Sequence, residues 1–128
     1  MRKPDRKSGI AHLIAATGYS LSGAARLWRE AAFRHEVLVA ALLIAALALL
    51  GAPLWMLAVQ AILGLILFAV EALNTAIEEL VDHLTQDWAA FARNAKDLGS
   101  LAVMCLLIAN GIWAALALWL ALGGRLAS

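Results

Sequence analysis

The chain has 128 residues, of which 64% are hydrophobic and only 15% charged, with a mean hydropathy of +0.85. A globular domain of this length leaves much of its surface in solvent and cannot hide so large an apolar excess, so the surplus is expected to face lipid. The net charge of +1 lacks the concentrated basic face of a nucleic-acid binder, and the single cysteine, Cys105, excludes an internal disulfide or a thiolate metal cluster.

The basic residues at the start (Arg2, Lys3, Arg6 and Lys7) are not followed closely by an apolar core and a small-residue cleavage site. A cleaved signal peptide is therefore not expected. From Ser8 to Thr17, Ile10, Leu13, Ile14 and Thr17 recur at i, i+3, i+4 and i+7. That period predicts a short amphipathic helix over 8–17 lying on a membrane surface. Gly18-Tyr19-Ser20 reads as a turn, with Ser20 or Ser22 available to cap the next helix.

Residues 37–70 carry no ionisable group, and Gln60 is the only strongly polar side chain among them. The run is too long for one span, and Gly51-Ala52-Pro53 divides it, with proline suited to a helix's first turn. The predicted spans are 26–50 and 53–84. A second charge-free stretch gives a third span, 98–122, ended by Gly123-Gly124. Between the last two lies a polar connector, Asp87 to Asn94, with Trp88 and Phe91 at headgroup depth. Cys105 falls in an apolar run and reads as a buried structural thiol.

Arg26, Arg29 and Arg34 join the N-terminal basic residues before the first span, and Arg93 and Lys96 occupy the second connector. The first connector has no basic residue and the C-terminal tail only Arg125. The positive-inside rule then places the N-terminus and the second connector in the cytoplasm. The whole chain, 1–128, reads as one membrane domain.

Chemistry gathers at the cytoplasmic end of the second span. Relative to Glu71, Asn74, Glu78 and Asp82 lie at roughly −60°, −20° and +20° around a helix, while Glu79 points about 80° away. Glu71 lies roughly 27 Å along a helix begun at Pro53, near the edge of a ~30 Å hydrocarbon core. A carboxylate at that depth is costly and usually faces protein or water with a functional partner. For Glu78, Glu79 and Asp82 the alternative is a solvated helix end paired with arginines.

Glu30 and Arg34 stand at i, i+4 and can form a simple surface pair. Yet Glu30 enters from the same side as Glu78, and two converging carboxylates suit a phosphate-bound Mg²⁺. Asp97 and Ser100 can form an anion-favouring helix N-terminus, with Gly99 permitting close approach and Lys96 a point charge for phosphate; the alternative there is a cap with a basic anchor. His12, His35 and His83 have no zinc-like spacing. No soluble-kinase phosphate loop occurs.

Three blocks, Glu30-Ala-Ala-Phe-Arg34-His-Glu36, Glu71-Ala-Leu-Asn74-Thr-Ala-Ile-Glu78-Glu-Leu-Val-Asp82 and Ala95-Lys96-Asp97-Leu-Gly99-Ser100, closely resemble the bacterial membrane diacylglycerol kinases in order and spacing. The resemblance runs from about Ile10 to Leu122. It implies an all-α inner-membrane enzyme with three spans and a surface helix, active as a homotrimer with sites between subunits, so that a monomer is inactive. The implied reaction moves the γ-phosphate of ATP to the hydroxyl of diacylglycerol, giving phosphatidic acid for phospholipid recycling. By the same resemblance Glu71 is the general base and Glu30 and Glu78 hold Mg²⁺. Tyr19, Asn74, Lys96 and Asp97 join them around the nucleotide, and Arg34, Glu36 and Ser100 join Glu71 on the lipid.

The chain departs from the family pattern in being one residue shorter between Gly23 and Glu30 and in lacking basic residues around His12 and Ala15. Two other readings remain open: an undecaprenol kinase of the same fold, and a small ion- or proton-conducting assembly using Glu71. The second leaves Glu30 and Lys96 unexplained.

Overall fold

The computed structural model describes residues 8–126, so the basic residues Arg2, Lys3, Arg6 and Lys7 lie outside the described residues. Four helices run in order: α1 (Ile10–Leu27), α2 (Ala31–Leu49), α3 (Leu54–Leu84) and α4 (Ala90–Leu126). The last three are long and apolar enough to cross a membrane.

The first helix does not stop at Thr17. It continues through Gly18, Tyr19 and Ser20 to Leu27. Ser20 caps nothing; its Oγ donates to the Ala16 carbonyl 3.0 Å away, as Thr17 Oγ1 does to Leu13 at 2.9 Å. A hydroxyl bonded to its own preceding turn is compatible with helix, which is why a Gly-Tyr-Ser triplet does not break the chain here.

The break falls later, at Trp28-Arg29-Glu30, so Arg26 and Leu27 belong to α1 and the first span begins at Ala31. Glu30 stands in extended backbone at the N-cap of α2 (ψ 123°). Arg34 reaches back from the next turn, donating from Nη1 to the carbonyls of Trp28 (2.7 Å) and Arg29 (3.0 Å). It thereby satisfies acceptors left over at the end of α1. The surface pair of Glu30 with Arg34 does not form. Beneath the turn, buried Phe33 meets Trp28 edge-on at 6.2 Å and Phe68 of α3 at 5.1 Å, fixing the entry of α2 against α3.

Between α2 and α3 the chain reverses through Gly51, whose φ of +75° suits glycine. The Ala52 amide donates to Leu47 O (2.9 Å) and the Gly51 amide to Ala48 O (3.0 Å), a Schellman ending. Pro53 then occupies the N-cap of α3 rather than its first turn, without consequence for the predicted span.

The third span starts well before 98. The connector shrinks to residues 85–89, tied by Thr85 Oγ1 and the Asp87 backbone, and Ala90 to Asp97 are already helical. Asp97 and Ser100 are consequently interior to α4 and make no N-terminal anion site. The helix also runs past Gly123-Gly124 to Leu126, so the glycine pair does not end it.

Small residues are prominent in the main contact, between α3 and α4, where Gly99, Ala92, Ala114 and Ala117 are buried. In lipid, helices gain little from burying apolar area, so close backbone approach and dispersion must hold them. Asn110 adds a polar tie, its Nδ2 donating to Leu63 O of α3 (3.3 Å) and Leu106 O of α4 (2.8 Å). Large side chains such as Leu42, Leu65, Ile112 and Trp119 point outward. Cys105 is exposed among them, not buried as its apolar run suggests.

Candidate functional site

The polar residues of α3, the α1–α2 turn and the start of α4 meet at one end of the bundle. Two ion-pair systems organise that end. In the first, Arg26 of α1 donates from Nη1 to Glu30 Oε1 (2.7 Å) and from Nε to Glu79 Oε1 (2.5 Å). Both carboxylates hold the Arg26 guanidinium pKa above its usual range, Glu30 first and Glu79 second. Arg26 therefore remains a cation and ties α1 to α3. Glu79 is the acidic residue off the Glu71 stripe, and that offset aims it at α1.

In the second, Lys96 Nζ of α4 donates to Asp82 Oδ1 of α3 at 2.5 Å. One turn away along α4, Arg93 pairs loosely with Asp97 at 3.6 Å. These groups border a cleft of about 660 Å³ under the α3–α4 connector, lined by Asp82, Gln86, Trp88, Arg93, Lys96 and Asp97. A lysine and an arginine at the wall of an open, mixed-polarity cleft beside an exposed indole can receive a phosphorylated, aromatic ligand.

Deeper, Glu71 lies partly buried and faces Glu36 of α2. Glu36 Oε2 is enclosed without a hydrogen-bond partner. Half-way between the two levels, Asn74 Nδ2 donates to Glu78 Oε1 (3.2 Å), while Asn74 Oδ1 is buried and unpartnered against Gly99. Glu71, Asn74, Glu78 and Asp82 thus share one side of α3, as the helical spacing requires, and Lys96 joins them from α4.

Other expected members stand apart. Tyr19 is 70% exposed on α1 and lines neither the cleft nor the cavity beneath Glu36. Arg34 is committed to the turn carbonyls, and Ser100 is exposed on α4. Gly99 does allow close approach, but the group that approaches is Asn74 of the same chain.

For Mg²⁺ the donor set is of the right chemistry. Glu30 and Glu78 offer hard carboxylate oxygens at the same end, and Asn74 orients one of them. Among the described residues no group of three or more His, Cys, Asp or Glu side chains is gathered for a metal. Glu30 is bonded to Arg26 and Glu78 to Asn74, so a cation held by both carboxylates would draw Glu30 from Arg26 and complete its shell with phosphate and water.

Sequence reasoning does not single out Arg26 as a site residue and passes over Asn110. In the sequence Arg26 counts only as a topological charge. An amide in an otherwise apolar run is the signal that marks Gln60 and Asn110, both of which line an intramembrane cavity.

The sequence model described as prokaryotic diacylglycerol kinase matches residues 18–118. A Sinorhizobium diacylglycerol kinase is 49% identical over 111 residues, covering 87% of this chain and 81% of its own. The Pseudomonas aeruginosa diacylglycerol kinase is 37% identical (88% of this chain, 93% of its own), and the Escherichia coli K12 protein of the same name is 34% identical with the same coverage. The matched region contains the α1–α2 turn, all of α3 and the Lys96 segment, the parts that build this polar end. This chain belongs to the prokaryotic diacylglycerol kinase family.

Proposed function

We infer that this chain is a membrane diacylglycerol kinase, transferring the γ-phosphoryl group of ATP to diacylglycerol to give phosphatidic acid. The observation that carries the reading is family membership joined to a partly buried carboxylate, Glu71, set between a polar cleft and an intramembrane cavity. Relatives named diacylglycerol kinase favour that acceptor over undecaprenol.

The two substrates come from different phases. Diacylglycerol keeps its chains in lipid and its hydroxyl at the interface, while ATP comes from water. Glu71, at the hydrocarbon edge of α3, can accept the hydroxyl proton as the glycerol oxygen attacks the γ-phosphorus. The bond to the β–γ bridging oxygen breaks and ADP leaves. Lys96 turns from Asp82 to the transferring phosphate, and Asn74 keeps Glu78 in place. Glu30 and Glu78 would hold Mg²⁺, which when bound neutralises charge on the phosphates. Positioning and electrostatics carry most of such a reaction.

In this reading α1 is an amphipathic surface helix, since Ile10, Leu13 and Ile14 are exposed in the single chain and suit a lipid interface. Its end is pinned to α3 through Arg26. The polar end faces the cytosol across the inner membrane, following the basic residues around it. The active unit is a homotrimer with sites completed between neighbours, as in the family resemblance. The implied nucleotide contact of Tyr19 and lipid contacts of Arg34, Glu36 and Ser100 belong to that assembled site.

Labelled γ-phosphate transfer from MgATP in mixed micelles tests the reading. Labelling of diacylglycerol is the expected result; a folded protein that labels undecaprenol alone would overturn the acceptor, and one that labels neither would overturn the kinase.

A further inference from the structure

We propose that Arg26 controls the entry of a divalent cation at Glu30: it holds that carboxylate until the cation arrives and then moves wholly onto Glu79. The proposal rests on the reading of Glu30 and Glu78 as the Mg²⁺ pair. It gives Arg26 and Glu79, which that reading leaves out, a part as positioning residues.

Arg26 uses a different nitrogen for each partner. Nη1 donates to Glu30 Oε1 at 2.7 Å, and Nε donates to Glu79 Oε1 at 2.5 Å. One bond can therefore break while the other persists, because the N–H donors of a guanidinium are spread over a rigid fork. A guanidinium and a divalent cation on one carboxylate repel each other. Loading the cation therefore costs the bond between Arg26 and Glu30, and Glu79 keeps the arginine from being left unpaired.

Glu30 is free to change partners. It stands at the N-cap of α2 in extended backbone, yet its side chain caps no amide. Among the described residues Arg26 is the only hydrogen-bond partner of its carboxylate. Its backbone, by contrast, is fixed: the Glu30 amide donates to Leu27 O (3.0 Å) and its carbonyl accepts from the Arg34 amide (3.2 Å). The carboxylate thus swings on a fixed stem.

Arg26 has room to follow. With Glu79 it lines a cleft of about 170 Å³ between α1 and α3, where Gly23, Ala72 and Ala76 keep the walls low. A Cβ on Gly23 would meet nothing within 4 Å. Leu27 and Thr75, both buried beside that cleft, keep α1 seated while the guanidinium turns.

The exchange is also easy. The side chains of Arg26, Glu30 and Glu79 are 40%, 47% and 55% exposed, and ion pairs so open to water are weak. By linkage, whatever loosens the hold of Arg26 on Glu30 tightens the cation by the same factor.

Binding of the Mn²⁺ complex of β,γ-imido-ATP to the full chain in detergent micelles is read from water proton relaxation, which requires no turnover. Arg26→Gln should tighten binding by about twofold to fivefold, the worth of one half-exposed ion pair. Arg29→Gln removes a neighbouring charge that bonds neither acid and should change binding little. Glu79→Gln should weaken binding by a similar factor while Arg26 is present, and have little effect in the Arg26→Gln protein.

Weaker binding in Arg26→Gln would put the guanidinium on the phosphates and overturn the proposal. Equal tightening in Arg29→Gln would make Arg26 one positive charge among several, and overturns it too. A Glu79→Gln effect that persists without Arg26 would mean that Glu79 acts on the cation directly, which removes the exchange. Should Arg26→Gln not fold, Glu79→Gln decides alone, and unchanged binding there overturns the proposal. Glu30→Gln separates this result from the reading beneath it. If that change leaves binding intact, Glu30 is no metal ligand and both fall. If it abolishes binding while Arg26→Gln brings no gain, only the exchange falls.

Discussion

Asn74 Oδ1 occupies the place where a Cβ on residue 99 would stand, with Asn74 Cγ only 3.2 Å from it. The two residues lock α3 to α4 at the level between the cleft and Glu71. Asn74 also holds Glu78, so the lock is coupled to the candidate metal site.

Gly99→Ala should therefore disturb both packing and chemistry. The methyl must displace a buried amide from helix backbone, an overpacking cost of about 1–3 kcal/mol. Thermal unfolding in detergent should show that loss, together with reduced turnover. Asn74→Ala in the same chain should recover much of the lost stability but not the activity. Additive losses in the double variant would show that the two residues do not meet.

Glu71→Gln should leave folding and MgATP binding nearly intact while turnover falls by about 10²–10⁴-fold, the usual worth of a positioned base. Single-turnover transfer to diacylglycerol, read beside nucleotide binding, separates the two. Turnover close to that of the unaltered protein would place the proton acceptor elsewhere.

Lys96→Gln should raise the KM for MgATP by about tenfold or more and leave the KM for diacylglycerol little changed, because a charge-assisted bond to phosphate is lost. Its present partner, Asp82, is on the solvent side of the same cleft. A variant that alters only the lipid KM would move Lys96 off the nucleotide.

The α1 anchor should respond to salt and not to alkali. Glu30 and Glu79 raise the Arg26 pKa, and a raised basic group contributes stability that is present below its unfolded pKa and lost only above it. From neutrality up to about pH 10 Arg26 stays charged and its two bonds persist. Raising ionic strength to about 1 M screens exposed pairs instead. Limited proteolysis at Trp28-Arg29 should accelerate with salt but not between pH 7 and 9, and Arg26→Gln should abolish the salt response. Equal acceleration at pH 9 would show that another group anchors α1.

Much of this architecture is legible in the chain. Charge-free runs and Gly51-Ala52-Pro53 set the number of spans because lipid tolerates so few ionisable groups, and the 3.6-residue period puts Glu71, Asn74, Glu78 and Asp82 on one side of α3. Helix ends are less legible. Gly18-Tyr19-Ser20 and Gly123-Gly124 look like breaks, but neither breaks a helix when backbone bonding continues through it, and α4 begins eight residues early for the same reason.

Periodicity within one helix cannot say which neighbour a side chain meets. Only the tertiary structure turned Glu79 toward Arg26, gave Arg34 to the turn carbonyls, seated Asn74 against Gly99 and closed the bundle around Gln60. The sequence by itself determined a three-span membrane chain with an acidic stripe at one end, since hydropathy and helical pitch are local properties. Which acids are paired, which are enclosed and where a cavity lies depend on how α1, α2 and α4 dock on α3, and that was decided by contacts between residues far apart in the chain: Arg26 with Glu79, Phe33 with Phe68 and Asn74 with Gly99.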